Sequence, residues 1–245
     1  MITLYYQTFT PLVLPPQVTN LHLSALHFGT EDDGQPYIHL NDYYPDHPMY
    51  NSVWEQLQAL TNVKIIIMIG GAGGGFAAFF SNYSVYYQML TQFLLTHPCI
   101  SGVDLDIEES VDIGNIRQLI SDIKRDFPTF IIAMAPLQSS LQQDVPGLGG
   151  FVYKDLFLTP EGAQIDYFNT QFYSDFSVSA YTQVIDNGYP ASKVVMGSMD
   201  GSGDVDTVHA LAQTYADFGG VYSWEYSTTP PGWVAAMSAA MKNEV

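Results

Sequence analysis

Hydrophobic positions along the chain gather into short runs of β-branched, aromatic and aliphatic residues, separated by longer stretches of mixed character. Runs near 2–9, 20–28, 63–70, 100–108, 129–136, 165–173, 193–199 and 219–225 have the length and composition of strands. Between them, apolar residues recur at helical spacing near 51–61, 82–96, 111–126, 177–188 and 205–217, with a last such stretch near 231–242. The first crossover, TPLVLPPQV, has too many prolines for a helix. Segments such as VKIIIMI and TFIIAMA are apolar almost without interruption, as parallel strands covered by helices should be. This alternation predicts an α/β fold: a closed (β/α)8 TIM barrel with parallel strands and a short or missing first helix, favoured over an open doubly wound sheet. With no linker, repeat or low-complexity segment to divide the chain, one domain spanning 1–245 is expected.

One strand breaks the pattern. In SGVDLDIEES, residues 101–110, Asp104, Asp106 and Glu108 occupy alternate positions and share one face, while Val103, Leu105 and Ile107 share the other. An amphipathic edge strand with its acids in water would also produce this alternation. As the fourth strand of a barrel, however, it would turn its apolar face to the helices and its acids inward, where unpaired charge is costly. Barrel sites open at the C-terminal ends of the strands, so Glu108 would lie nearest the mouth, with Asp106 and Asp104 successively deeper. Neighbouring like charges separate the protonation steps, leaving at least one carboxyl inclined to hold a proton, as a general acid requires.

Composition narrows the classes. Seven Lys and Arg against twenty-five Asp and Glu give a net charge of −18, which repels phosphate backbones and anionic membranes, so neither nucleic acid nor membrane is an expected partner. No apolar run approaches the ~18 residues of a spanning helix. The lone Cys99 reads as a buried thiol. The six histidines include no H-E-x-x-H, and His22 and His27 fall on opposite faces of their strand, so neither a metal nor another cofactor is expected. GGAGGGF fails the G-x-G-x-x-G spacing, and no Lys-Ser or Lys-Thr follows; its glycines, Gly71 among them, suit a tight turn where backbone approaches a ligand. The N-terminus, MITLYYQTFT, has no basic segment ahead of an apolar core: cytoplasmic placement is expected if the chain is complete, secretion if a signal peptide has been removed.

SGVDLDIE resembles the D-x-x-D-x-D-x-E signature of glycoside hydrolase family 18, the chitinases and endo-β-N-acetylglucosaminidases, and its DIE ending is similar to class III-type chitinases. The resemblance extends through KIIIMIGG on strand three, AMAP after strand five, QFYS at the end of strand six and GVYSWEY on strand eight. Ser101 departs from the first Asp of the signature, and Met68 stands in place of the usual Ser of S-x-G-G. By strand parity Ser101 belongs to the outward set. Met68 is expected to narrow or reshape the barrel floor.

The resemblance implies retaining, substrate-assisted hydrolysis of β-1,4-linked N-acetylglucosamine in chitin or its oligomers, by a protein expected to be a monomer. Glu108 would be the acid and then the base. Asp106 would orient the acetamido group, Asp104 would support Asp106 by sharing a proton with it, and Tyr173 would fix the acetamido oxygen. Trp224 would stack on the sugar, with Gln171, Tyr5 and Gly71 as further sugar contacts. An endo-β-N-acetylglucosaminidase that cuts the chitobiose core of N-glycans uses the same acids and remains an alternative. A lectin-like barrel that binds chitin without cutting it would lack the terminal acid or the tyrosine. The only evident loop at the mouth, DGSGDVD, is short, which predicts an open, shallow cleft.

Overall fold

The computed structural model describes residues 1–242; the last three positions of the expected 1–245 span lie outside the described residues. Strands β1 (Ile2–Tyr6), β2 (Asn20–Thr30), β3 (Pro36–Leu40), β4 (Lys64–Gly70), β5 (Ile100–Asp106), β6 (Ile131–Met134), β7 (Tyr167–Gln171), β8 (Val194–Met199) and β9 (Val221–Trp224) form one sheet. Except for β3 they are parallel to their neighbours, and β1 pairs with both β9 and β2, closing an eight-stranded parallel barrel. Every strand expected from the sequence is present. No helix forms in the proline-rich crossover between β1 and β2.

Helices α1 (Asn51–Gln58), α2 (Phe76–Ser81), α3 (Tyr83–Thr96), α4 (Ile113–Asp126), α5 (Gln138–Gln142), α6 (Tyr153–Phe157), α7 (Val178–Asp186), α8 (Val205–Thr214) and α9 (Trp233–Met241) surround it. The helix after β5 shows how local chemistry fixes these elements. Asp112 caps the N-terminus of α4, its carboxylate accepting from Gly114 N–H at 2.7 Å. Ile116, Leu119, Ile120 and Ile123 then recur at helical spacing and are fully buried, each contributing roughly 1.5–3 kcal/mol. Lys124 and Arg125 sit in the last turn, where cations complement the helix dipole, and Pro128 follows the C-cap. Val103 and Leu105 of β5, with Ile107 just beyond its end, join the large core between strands and helices. A smaller cluster, including Tyr5, Met68, Tyr167 and Tyr222, fills the barrel interior.

Two irregularities alter which side chains face inward. Ile65 pairs with Ile100 and Ile66 with Gly102, so Ser101 is an extra residue in a bulge rather than a member of the regular outward set. A second register shift, between Leu23 and Leu26 of β2, inverts the alternation beyond it. His22 is therefore buried in the interior while His27 reaches the barrel mouth, instead of the two facing opposite ways. Strand β3 was not expected. It pairs antiparallel with β2 through a turn in which Gly34 takes a φ of +87°, and the Asp33-Gly34 dipeptide is the hairpin signal in the sequence. No helix among the described residues is long and apolar enough to cross a membrane.

Candidate active site

The C-terminal ends of the strands surround a cavity of about 900 Å³. Asp106, Glu108, Gln171, Tyr173, Trp224 and Gly71 line it; Asp104 and Tyr5 lie beneath it. The carboxylates descend as strand alternation requires, from a half-buried Glu108 through Asp106, 6% exposed, to Asp104, 0% exposed. Burial, then the charge of Glu108, then that of Asp104 raise the Asp106 carboxyl well above the usual range. This environment thus disposes Asp106, which adjoins Glu108, to keep a proton.

Asp104 is held from below. Its Oδ2 accepts from the Tyr5 hydroxyl at 2.5 Å and faces His22 Nδ1 at 2.8 Å. Tyr5 is 1% exposed and its ring packs against Tyr222 and Trp224, which places it under the floor and out of reach of a sugar. The reason is geometric: β1 ends at Tyr6, so the side chain before it points across the barrel to the middle acid layer rather than into the mouth. Asp104 Oδ1 and Asp106 Oδ1 are both buried without a hydrogen-bond partner.

Around the rim, the Tyr173 hydroxyl accepts from Tyr222 at 3.1 Å, which leaves its own proton free to be offered into the cavity. Gln171 is fixed by its amide N–H, which donates to the Ala135 carbonyl at 2.9 Å. The N–H of Gly71 donates to the Asp106 carbonyl at 2.8 Å, and its φ is +78°. That positive φ favours glycine here, while a Cβ would press only on the flexible Met68 Cε at 2.6 Å and stand in ordinary contact with Asp106 Oδ2 at 3.4 Å.

No protein-family profile and no curated protein sequence matches the chain. Solved structures do. A fungal endo-β-N-acetylglucosaminidase from glycosyl hydrolase family 18 is 29% identical, with 100% of this chain and 99% of that one covered and a TM-score of 0.87. A chitinase from Aspergillus fumigatus is likewise 29% identical, covering 98% and 99%, with a TM-score of 0.84. The chain is a glycoside hydrolase, similar over its whole length to enzymes of family 18. A chitinase-like agglutinin from Robinia pseudoacacia, 14% identical over 98% and 99% at a TM-score of 0.69, shares the fold alone.

In this hydrolase barrel Met68 is 2% exposed, pairs in register with Asp104 and lines the cavity, so an apolar side chain sits beside the acid ladder. Several lining residues escaped the sequence reading because they come from the hairpin. Tyr37, His39, Asn41 and Asp42 build one wall, with the Tyr37 and His39 rings stacked at 4.0 Å. The cleft is consequently walled on that side rather than uniformly shallow. Glu109 was also missed. Its carboxylate accepts from Phe76 N–H, while His27 Nδ1 donates to the Gly74 carbonyl at 3.0 Å, so the glycine loop is tied down on both sides. Nothing in the local pattern of Glu109 distinguishes it from a solvated acid.

Proposed function

We propose that this barrel hydrolyses β-1,4-linked N-acetylglucosamine, in chitin or its oligomers, by retaining, substrate-assisted catalysis. The observation that carries the reading is one cavity with a half-exposed Glu108, a proton-retaining Asp106 beneath it and the free hydroxyl proton of Tyr173 at its edge. Glu108 gives its proton to the glycosidic oxygen as the bond to the anomeric carbon breaks. The carbonyl oxygen of the sugar's 2-acetamido group forms the new bond to that carbon, giving an oxazolinium, an exception to the usual scheme of two catalytic carboxylates. Asp106 accepts from the acetamido N–H with its free carboxyl oxygen while its own proton turns to the Glu108 carboxylate, so that the one negative charge left on the Glu108–Asp106 pair offsets the developing positive charge. Tyr173 donates to the acetamido oxygen and holds it near the reacting carbon. Water then opens the ring with its proton passing to Glu108, and the product keeps the β configuration. Trp224 supplies an apolar face for the pyranose, as sugar and cofactor pockets generally do.

A second reading is cleavage of the chitobiose core of N-glycans, and the likeness to the fungal endo-β-N-acetylglucosaminidase favours it. Both substrates carry the acetamido group that the acids require, so the difference lies in the walls of the cleft. Incubation with chitin oligomers and, separately, with a high-mannose glycoprotein, followed by mass analysis, decides between them. Release of glycans bearing one N-acetylglucosamine, without cleavage of the oligomers, would overturn the chitin assignment. Tight binding of chitin oligomers with no turnover over a broad pH range would overturn hydrolysis itself in favour of a lectin-like role.

A further inference from the structure

Beneath the acids runs a buried chain of polar side chains that the hydrolytic scheme above does not use. Asn20 Nδ2 donates to the Tyr167 hydroxyl oxygen at 2.8 Å, and that hydroxyl lies 3.0 Å from His22 Nε2. On the other side of the ring, His22 Nδ1 meets Asp104 Oδ2 at 2.8 Å. A second arm reaches the same oxygen: Asn169 Nδ2 donates to the Tyr5 hydroxyl at 2.9 Å, and Tyr5 donates to Asp104.

The direction of every bond follows from the ends. An amide nitrogen can only donate, so Tyr167 accepts from Asn20 and has its own proton to give. Burial, then the charge of Asp104, raise the Tyr167 hydroxyl far above its ordinary range, so it keeps that proton. The acceptor within reach is Nε2 of His22, which places the ring's proton on Nδ1, pointing at Asp104. Asn169 Nδ2 also approaches Nδ1, at 3.3 Å, but its shorter contact is to Tyr5. Two O–H and N–H donors thus converge on Asp104 Oδ2 and stabilise it as a carboxylate. Among the described residues no Lys or Arg is buried, so no cationic side chain of that kind performs this task inside the barrel.

The surroundings are otherwise neutral. Strands β4, β6 and β8 present Met68, Ala133 and Val195 to this layer, none of them titratable. Besides Tyr5, His22 and Tyr167, the titratable side chains around Asp104 are Tyr222 of β9, Tyr173 at the rim, Tyr153 of α6 and Asp106 above, with Glu108 beyond Asp106.

We propose that His22, as the Nδ1–H tautomer, is a positioning residue: it holds Asp104 as the anion, so that the single proton of the buried Asp104–Asp106 pair stays on Asp106, beside Glu108. This role rests on the hydrolase reading of Asp106 and Glu108. Without the Nδ1 donor the proton moves down to Asp104, away from the reacting sugar.

The test compares His22→Leu, which removes the donor, with His22→Asn, whose amide nitrogen occupies the place of Nδ1. Loss of a hydrogen bond to a charged group lowers kcat by about ten- to a hundredfold in His22→Leu. KM stays within about threefold on the same argument, since substrate contacts are untouched. The acid limb of the kcat/KM profile moves up by about one pH unit because the pair takes its second proton more readily. His22→Asn restores both the rate and the limb. In parallel, 15N and 13C NMR of the wild type at pH 7 is expected to show the Nδ1–H tautomer and an Asp104 carboxylate, with protonated Asp104 in His22→Leu. Should His22→Leu not fold, Tyr167→Phe removes the O–H that fixes the tautomer and should produce a mixture of Nδ1–H and Nε2–H. An Nε2–H ring or a protonated Asp104 in the wild type overturns the proposal, as does a His22→Asn variant as slow as His22→Leu. A wild type inert on every N-acetylglucosamine substrate but showing these spectra would overturn the hydrolase reading while supporting the protonation pattern.

Discussion

Asp106 closes β5 and Glu108 follows it by two residues, yet their surroundings differ. Glu108 stands half-buried at the mouth, where a leaving-group oxygen can reach it. Replacing it by Gln removes the transferable proton without changing shape, so Glu108→Gln is expected to lower kcat by about 10² to 10⁴ while oligosaccharide binding, followed by calorimetry, persists. A variant keeping more than about a tenth of wild-type kcat would sink the assignment. Asp106 makes a prediction about stability. Burial and two neighbouring carboxylates raise its folded-state proton affinity, so the folded chain holds a proton that the unfolded chain releases above about pH 3.9. Stability therefore declines as pH rises from there toward the folded value, the sign required when the native state binds more protons. Asp106→Asn should melt close to the wild type near pH 4 and progressively higher than it toward pH 8, by about 2–4 °C per kcal/mol of relief. Melting curves that stay parallel across this range would show that Asp106 ionises in the folded protein as freely as in the unfolded one.

Strands β7, β8 and β9 set the position of Tyr173 through a close fit. Gly197 pairs in register with Gln171 on one side and Tyr222 on the other. A Cβ on Gly197 would overlap the Tyr222 ring, whose hydroxyl donates to Tyr173. Gly197→Ala is therefore expected to cost about 1–3 kcal/mol by overpacking and to displace the donor that orients Tyr173. Denaturant unfolding should report the first effect and a fall in kcat the second. Wild-type values for both would mean that the ring has room to move and that Tyr173 is not held through this contact.

The molecule as a whole presents an acidic surface and a cavity whose charged walls are carboxylates, with no conventional second-strand nucleophile identified in the chemistry proposed. The reaction then depends on a group that the substrate must bring. Oligomers with glucosamine in the reacting position should bind without being cleaved there, because an ammonium replaces the carbonyl nucleophile and no oxazolinium forms. Products from acetylated oligomers should appear first as the β-anomer, by NMR within the first minutes. Early α-anomer, or rapid cleavage after glucosamine, would rule out assistance by the substrate.

How much of this was visible in the one-dimensional pattern follows from the range of the forces involved. Strand alternation and helix periodicity are local, so the eight barrel strands, the acid ladder of Asp104, Asp106 and Glu108 and the strand-end placement of Tyr173 and Trp224 could all be read from spacing. The hairpin wall carried a local signal too, in Asp33-Gly34, but a short edge strand beside a long one is easily absorbed into a loop. What the alternation could not disclose was any departure from its own period. The register shift in β2 turned His27 into the mouth, and the bulge at Ser101 removed that residue from the regular face, because each depends on how a neighbouring strand pairs. The partners of the buried acid were hidden for the same reason. Tyr5 and His22 lie 99 and 82 residues from Asp104 along the chain, and only closure of the barrel brings their donors to one oxygen. The sequence by itself determined the barrel and its acid-bearing strand, since both arise from short-range periodicity; the tertiary structure alone decided where each proton can reside, since that depends on burial and on contacts across the barrel.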